Sequence, residues 1–106
     1  AFSAENGAAA FNVADTLGFV YRRKGLAEPA LQQARYAIQL AEEAGQPQAV
    51  FQYHLGLALR SLGRNDEAVA AFQQALSIDP NFPDAGEAKK ELEAARTAQQ
   101  AAPSAS

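Results

Sequence analysis

The sequence predicts an all-α protein, an α-solenoid in which helical hairpins stack side by side. Two stretches repeat one pattern: a Leu-Gly pair, then a large residue, a glycine and small residues at the same offsets. Within each stretch, apolar residues recur every three or four positions, which is the period of one helix face. Such a repeat indicates a stacked array, because a single unit cannot bury its apolar face alone. The matching residues are Leu17, Gly18, Tyr21, Gly25, Ala30 and Ala37 in the first stretch, and Leu55, Gly56, Leu59, Gly63, Ala68 and Ala75 in the second.

The first helical unit is predicted to cover residues 11–46, after an N-terminal arm of residues 1–10. Asn12 is predicted to cap its first helix, since a side-chain oxygen there accepts a hydrogen bond from an amide that the helix leaves unpaired. Gly25 suits the left-handed turn that ends this helix, and the basic run before it favours a helix C-terminus. The second helix of the unit is predicted to stop at Gly45.

The second unit is predicted over residues 47–82, with Gly63 between its two helices, and a capping helix is predicted over residues 83–98. The apolar stripe of the capping helix is thin and mostly alanine, while many of its other positions are charged. A helix of this kind ends a stack, because its outer face is suited to water. The remaining residues, 99–106, form an Ala/Gln/Ser/Pro tail.

The composition excludes several classes of function. The 106 residues carry a net charge of −3 with both signs spread along the chain, so the concentrated basic surface that nucleic acid requires is missing. The absence of cysteine excludes disulfides and thiolate metal sites, and no apolar run is long enough to span a bilayer. Because the sequence has no methionine, we expect a processed chain or a piece of a longer one, and we favour an exported protein over a cytoplasmic one.

Residues suited to catalysis or metal binding do not form a recognisable motif. His54 is the only histidine and has no partner at a ligand spacing, so we expect it to pack and not to bind a metal. The carboxylate pairs Glu42-Glu43 and Glu91/Glu93 lie one or two residues apart and therefore point to different sides of a helix. No nucleophile, phosphate-loop or metal motif occurs in the sequence. We therefore predict a protein that is not an enzyme and that uses no cofactor.

The second unit resembles the tetratricopeptide repeat (TPR), a helix–turn–helix unit of 34 residues with a set pattern of Leu-Gly, Ala, Phe and Pro. The family's Trp and Tyr positions hold Gln52 and Leu59 here. The first unit keeps part of the pattern, but it has Ala34 where the family prefers a large aromatic residue and Glu42 where it prefers Pro. The residues of 49–82 that fall in the register of the family are Leu55, Gly56, Gly63, Ala68, Phe72, Ala75 and Pro80.

The two Leu-Gly pairs are 38 residues apart instead of the usual 34. Four residues are about one helical turn, and they fall after Glu42, so the second helix of the first unit is expected to be one turn longer. The resemblance implies a right-handed α-solenoid of two TPR-like units and a capping helix, whose first helices line a groove that holds a peptide. By position, the groove residues are Asn12, Asp15, Phe19, Arg22, Val50, Tyr53, Leu57 and Arg60.

Arg22 and Arg60 take equivalent positions in the two units. They are predicted either to present two guanidinium groups to a peptide with carboxylates or to be solvated residues that the helix dipole favours. The apolar groove residues either contact a partner or pack between neighbouring helices. Some TPR domains hold a C-terminal carboxylate with Lys and Asn side chains, but Asp15 and Phe19 take those places here, so this type of clamp is not predicted.

The N-terminal side of the stack has no capping helix in the sequence, and Val13 and Val20 lie on the face that a preceding unit would cover. The segment that contains Phe2 or Phe11, an upstream unit or a second copy of the chain are the alternative covers. Two functions stay open. One is a scaffold that self-associates end to end, through the uncapped N-terminal face with these four residues and through the tails, into an oligomer or filament. The other is an adaptor, either complete or part of a longer TPR protein, whose groove binds a peptide of another protein. If the protein is exported, Ser and Thr are candidates for O-linked sugar, since no Asn-x-Ser/Thr acceptor occurs.

Overall fold

The structure is a computed structural model that describes residues 4–101, with side chains from residue 10 onward. These residues form five α-helices and no β-strand, which confirms the predicted all-α stack. None of the helices is both long enough and apolar enough to cross a membrane within the described range. The helices are α1 (Ala4–Arg23), α2 (Ala27–Glu43), α3 (Ala49–Ser61), α4 (Asn65–Ile78) and α5 (Ala85–Ala101).

Helix α1 begins earlier than the sequence pattern predicts. It starts at Ala4, so residues 4–10, which the sequence pattern assigns to an arm, are helical. Asn12 therefore lies inside α1 and does not cap it. The physical reason is the alanine run at residues 8–10, because alanine is the strongest helix former and outweighs the turn tendency of the Asn-Gly pair before it.

Helix α5 is shifted towards the C-terminus relative to the prediction. It begins at Ala85, two residues after Pro83, and it continues to Ala101. Residues 99–101 are therefore helical, whereas the sequence pattern assigns them to the tail. Their types are Gln, Gln and Ala, which all favour a helix, so the helix propagates beyond its last charged residue.

The turns inside the two hairpins have the same geometry. Gly25 and Gly63 both have a positive φ, of 79° and 74°, which a residue with a side chain rarely adopts. In each turn, the amide after the glycine donates to a carbonyl on the last turn of the preceding helix. Leu26 N lies 2.9 Å from Tyr21 O, and Arg64 N lies 2.9 Å from Leu59 O.

The second helices of the two hairpins differ in length, with 17 residues in α2 and 14 in α4. The difference is close to the extra turn that the longer spacing of the Leu-Gly pairs predicts. Helix α2 is followed by another glycine turn, at Gly45, where φ is 70°. The assignment of every residue to a unit, a cap or a tail stays a prediction.

The helices pack in chain order along the stack. Helix α2 lies between α1 and α3, and α4 lies between α3 and α5. Helix α1 also touches α3, and α3 touches α5, so these three helices form one side of the stack, which we call the groove surface. The largest fully buried side chains are Leu31, Leu59 and Phe72, which lie in one core cluster at the junction of α2, α3 and α4.

Candidate functional site

The groove surface contains most of the residues that the sequence assigns to it. Phe19 is 36% exposed. Four other groove residues are partly buried between neighbouring helices: Arg22, Tyr53, Leu57 and Arg60. Val50 is also partly buried, but it packs against two core clusters. Asn12 is exposed and lines a depression on the outer side of α1. The groove residues therefore concentrate at the middle of α3 and the C-terminal half of α1.

Asp15 and His54 form a pair that joins α1 to α3. Asp15 Oδ1 lies 2.6 Å from His54 Nδ1, and the two side chains are only 16% and 17% exposed. The His54 ring also lies 5.9 Å from the Phe19 ring, centroid to centroid. His54 thus has a carboxylate partner that the sequence pattern misses. The described residues hold no cluster of three His, Cys, Asp or Glu side chains suited to a metal ion.

Arg60 is also occupied by a partner within the chain. Its Nη1 donates to Glu91 Oε1 at 2.7 Å, and this ion pair joins α3 to α5. The Glu91 side chain is only 29% exposed, although it belongs to the charged residues of the capping helix, whose outer face the sequence pattern assigns to water. Arg22 has no carboxylate partner among the described residues, and its guanidinium lies 5.4 Å from the centroid of the Phe19 ring. The Nε atoms of Arg22 and Arg60 are both buried without a hydrogen-bond partner.

Tyr53 lies among charges from both ends of the groove surface. Burial raises the pKa of its phenol, the negative charges of Asp84, Glu91 and Glu87 raise it further, and the positive charge of Arg22 acts in the opposite direction. Tyr53 therefore lies within the electrostatic influence of Arg22 of α1 and of three acidic residues in or just before α5. The sequence pattern does not assign the three acidic residues to the groove.

A second candidate surface is the outer side of α1, away from α3. Its aliphatic residues are among the most exposed large apolar side chains: Val13 is 65% exposed, Val20 40% and Leu17 37%. Together with Asn12 and Thr16 they line an open depression of about 420 Å³. We call these five residues the open face of α1.

Comparison with known families matches residues 49–82 to the model described as Tetratricopeptide repeat. This span is similar to a single tetratricopeptide repeat. The match covers α3, α4 and the turn that follows, which is the span that the sequence resemblance identifies. Comparison with curated proteins and with solved structures gives no match. The TPR is typically a non-catalytic unit for binding other proteins, so the matched span suggests a protein–protein interaction module.

The TPR register explains why the open face of α1 is apolar. Thirty-eight residues after Val13 and Val20 stand Phe51 and Ala58 in α3, and these are 3% and 1% exposed because α2 covers them. One TPR length further on, Ala85 and Leu92 of α5 are buried beneath α4. Helices α1, α3 and α5 therefore have equivalent apolar faces. In α3 and α5 this face packs against the preceding helix, whereas no helix precedes α1 within the described residues.

Phe11 requires a correction, because the sequence pattern assigns it to the self-association surface. It is 3% exposed, and its ring packs edge-on against Phe51 at 5.4 Å between centroids. It is thus part of the core between α1 and α3. Phe2 lies outside the described residues. The TPR register indicates that Glu91 belongs to the groove surface, because Glu91 follows Leu57, a predicted groove residue, by one repeat length.

Proposed function

We propose that the chain is a scaffold module without catalytic activity, and that its partner on the open face of α1 is a second copy of itself. The observation that carries the proposal is the exposure of Val13 and Val20 at positions that are buried in α3 and α5, with the exposed Leu17 between them. Aliphatic side chains at such positions gain free energy when another surface excludes water from them.

The charge distribution favours contact between two α1 helices over a head-to-tail contact. The outer side of α5 carries Lys89, Lys90 and Glu93, which are exposed. A head-to-tail contact would press these charges against aliphatic groups and remove water from them at a cost. Two α1 helices in antiparallel contact place Val13 of one copy against Val20 of the other, with Leu17 near the two-fold axis. Such an isologous contact closes as a dimer and does not continue as a filament.

The small size of the open face sets the expected affinity. Stable complexes bury about 800 Å² on each partner, whereas five residues on little more than two helical turns provide considerably less. We therefore expect a reversible dimer with a dissociation constant on the order of 100 µM. A scaffold of this strength forms only where the local concentration of the chain is high or where further contacts add to it.

The test is the molar mass in solution as a function of concentration. We expect light scattering after gel filtration to show a rising average mass between about 10 µM and 1 mM, a range that brackets the expected dissociation constant. Val20→Asp is expected to abolish the rise, while Ala70→Asp, at an exposed position of α4, retains it. A wild-type mass that stays monomeric, or the same rise in both variants, contradicts the proposal. In the first case, a helix of a different protein is the better candidate for the cover.

The second candidate function is an adaptor whose groove surface binds a peptide of another protein. A specific observation favours it: Phe19 is exposed in the groove beneath the guanidinium groups of Arg22 and Arg23, at 5.4 and 5.7 Å from its centroid. An aromatic ring flanked by positive charge is suited to a peptide that carries apolar and acidic residues. The double variant Arg22→Glu with Arg60→Glu should abolish this binding and leave self-association intact.

Export of the protein and O-linked sugar on its Ser or Thr residues remain predictions of the sequence. The intact mass of the protein, purified from the cells or the medium of its source organism, tests both. Added hexose masses in material from the medium support them. An unmodified mass found only inside the cells contradicts them.

A further inference from the structure

We propose that the groove surface binds an acidic peptide segment whose carboxylate pairs with Arg22 in the way that Glu91 pairs with Arg60. The inference deepens the adaptor function proposed above and rests on it. It adds the residue that anchors the acidic peptide and an internal competitor for the second arginine.

The repeat register provides the first step of the argument. Arg22 and Arg60 are equivalent residues on α1 and α3, and each faces the next helix of the groove surface. The helix next to Arg60 offers Glu91, and the ion pair forms at 2.7 Å. The helix next to Arg22 has Leu57 at the corresponding position, one repeat length before Glu91. Arg22 therefore lacks a carboxylate because the sequence of α3 does not supply one.

The surroundings of Arg22 make a carboxylate from outside favourable. Its side chain is partly buried, its guanidinium lies over the Phe19 ring, and no carboxylate of the described residues pairs with it. An arginine that is partly removed from water forms stronger hydrogen bonds to a carboxylate than an exposed one does, and a planar guanidinium can bind both oxygens. A leucine or similar residue next to the acidic one would contact Phe19 and Leu57.

The acidic residues at the other side of the groove surface determine where the ligand's carboxylate binds. Asp84, Glu87 and Glu91 all lie close enough to Tyr53 to act on its phenol. A second acidic group there would be repelled, so the acidic residue of the ligand is directed to α1. Glu91 also competes for Arg60, and loss of its charge would leave a second guanidinium available to the ligand.

The test uses two short peptides as probes, titrated into the whole chain. One is a fluorescein-labelled octapeptide of Glu, Leu and Ser, and the other has Lys in place of every Glu. Binding is measured by fluorescence anisotropy, and the site is located from the Nε–Hε cross-peak of Arg22 in spectra of the 15N-labelled protein. We expect the acidic peptide alone to bind and to shift this cross-peak, and we expect added salt to weaken the binding.

Three variants separate the anchor from the general charge of the protein. Arg22→Gln should lower the affinity for the acidic peptide roughly tenfold, as expected for the loss of one charge-assisted pair. Glu91→Gln should raise the affinity for the acidic peptide roughly threefold, because Arg60 is released from its ion pair with Glu91. Arg35→Gln is the matched control, since Arg35 lies outside the groove and pairs with Glu67 at 3.3 Å, and it should change the affinity little.

The outcomes distinguish this inference from the adaptor function itself. If the Lys peptide binds the groove as well as the acidic one, or if Arg22→Gln and Arg35→Gln have the same effect, the inference is wrong while groove binding stands. If neither peptide shifts any groove resonance at millimolar concentration, both are wrong.

Discussion

Helices α1 and α3 share one pattern but differ in what covers them. Both present apolar residues to the position of a preceding helix, and α2 fills that position for α3. Among the described side chains of residues 10–101, all exposed large apolar residues lie in the first hairpin, between residues 13 and 36. These exposed residues are Val13, Leu17, Phe19, Val20, Leu26 and Tyr36. Three of them, Val13, Leu17 and Val20, lie on the open face of α1, so their exposure goes with the lack of a covering helix within the described residues.

The interiors of the two hairpins also differ. Gly56 approaches the ring of Phe72 so closely that an added Cβ would lie 2.7 Å from two of its carbon atoms. The equivalent glycine, Gly18, faces Ala34 at the position of that ring, and its nearest neighbours would lie 3.2 and 3.3 Å from a Cβ. The second hairpin is therefore closely fitted around an aromatic ring, while the first is filled by small side chains.

The largest effect is expected from a charge placed at equivalent positions of the two helices. Ala58→Asp buries a carboxylate at a site that is 1% exposed, and it should lower the free energy of unfolding by about 4 kcal/mol or more. Val20→Asp leaves its carboxylate in water and should cost less than about 1 kcal/mol. Urea unfolding followed by circular dichroism measures both, and equal losses would show that the two faces do not differ in cover.

The next effect concerns the two glycines of the Leu-Gly pairs. Gly56→Ala should lower the free energy of unfolding by about 2 kcal/mol, since the ring of Phe72 has to shift. Gly18→Ala should change it by less than about 1 kcal/mol, because a mild contact is offset by the better helix propensity of alanine. The same urea experiment compares them. A larger loss for Gly18→Ala would mean that the first hairpin is the more closely fitted one.

The smallest effect is a dependence of stability on alkaline pH that comes from Tyr53 of α3. The pKa of the Tyr53 phenol is raised above its ordinary value in the folded chain, so the unfolded chain loses this proton first. The contribution to stability is complete below about pH 10 and is lost as the pH rises through the folded pKa. Tyr53→Phe should therefore flatten the decrease in unfolding free energy above pH 10. Tyr36→Phe, at an exposed site of α2, is the control and should leave the decrease unchanged.

Much of this fold follows from residue types and spacing. The offsets after Leu17 and Leu55 predict the hairpins, and Gly25 and Gly63 end their first helices at the predicted places. The start of α1 is not predicted, because alanine propensity competes with a turn signal and only the folded chain decides between them. Glycine and alanine positions are informative since close approach of two helices tolerates few other residues.

The polar contacts of the groove surface are less accessible to sequence reasoning. The pairs Asp15–His54 and Arg60–Glu91 join residues 39 and 31 positions apart. Helical periodicity predicts which side of a helix a residue is on, but not which charged side chain of the next helix it meets. The repeat register relates Glu91 to the groove residue Leu57 and so indicates its place on the groove surface. Nothing in the register indicates that His54 has a partner.

The most direct test of the open face of α1 is a cross-link between two copies of the chain. The natural sequence has no cysteine, so Thr16→Cys introduces a single thiol near the proposed two-fold axis. Under mild oxidation, we expect this variant to form a disulfide-linked dimer far faster than Ala70→Cys on α4, because antiparallel α1 helices bring the two thiols within bonding range. Equal rates of cross-linking in the two variants would contradict self-association through α1.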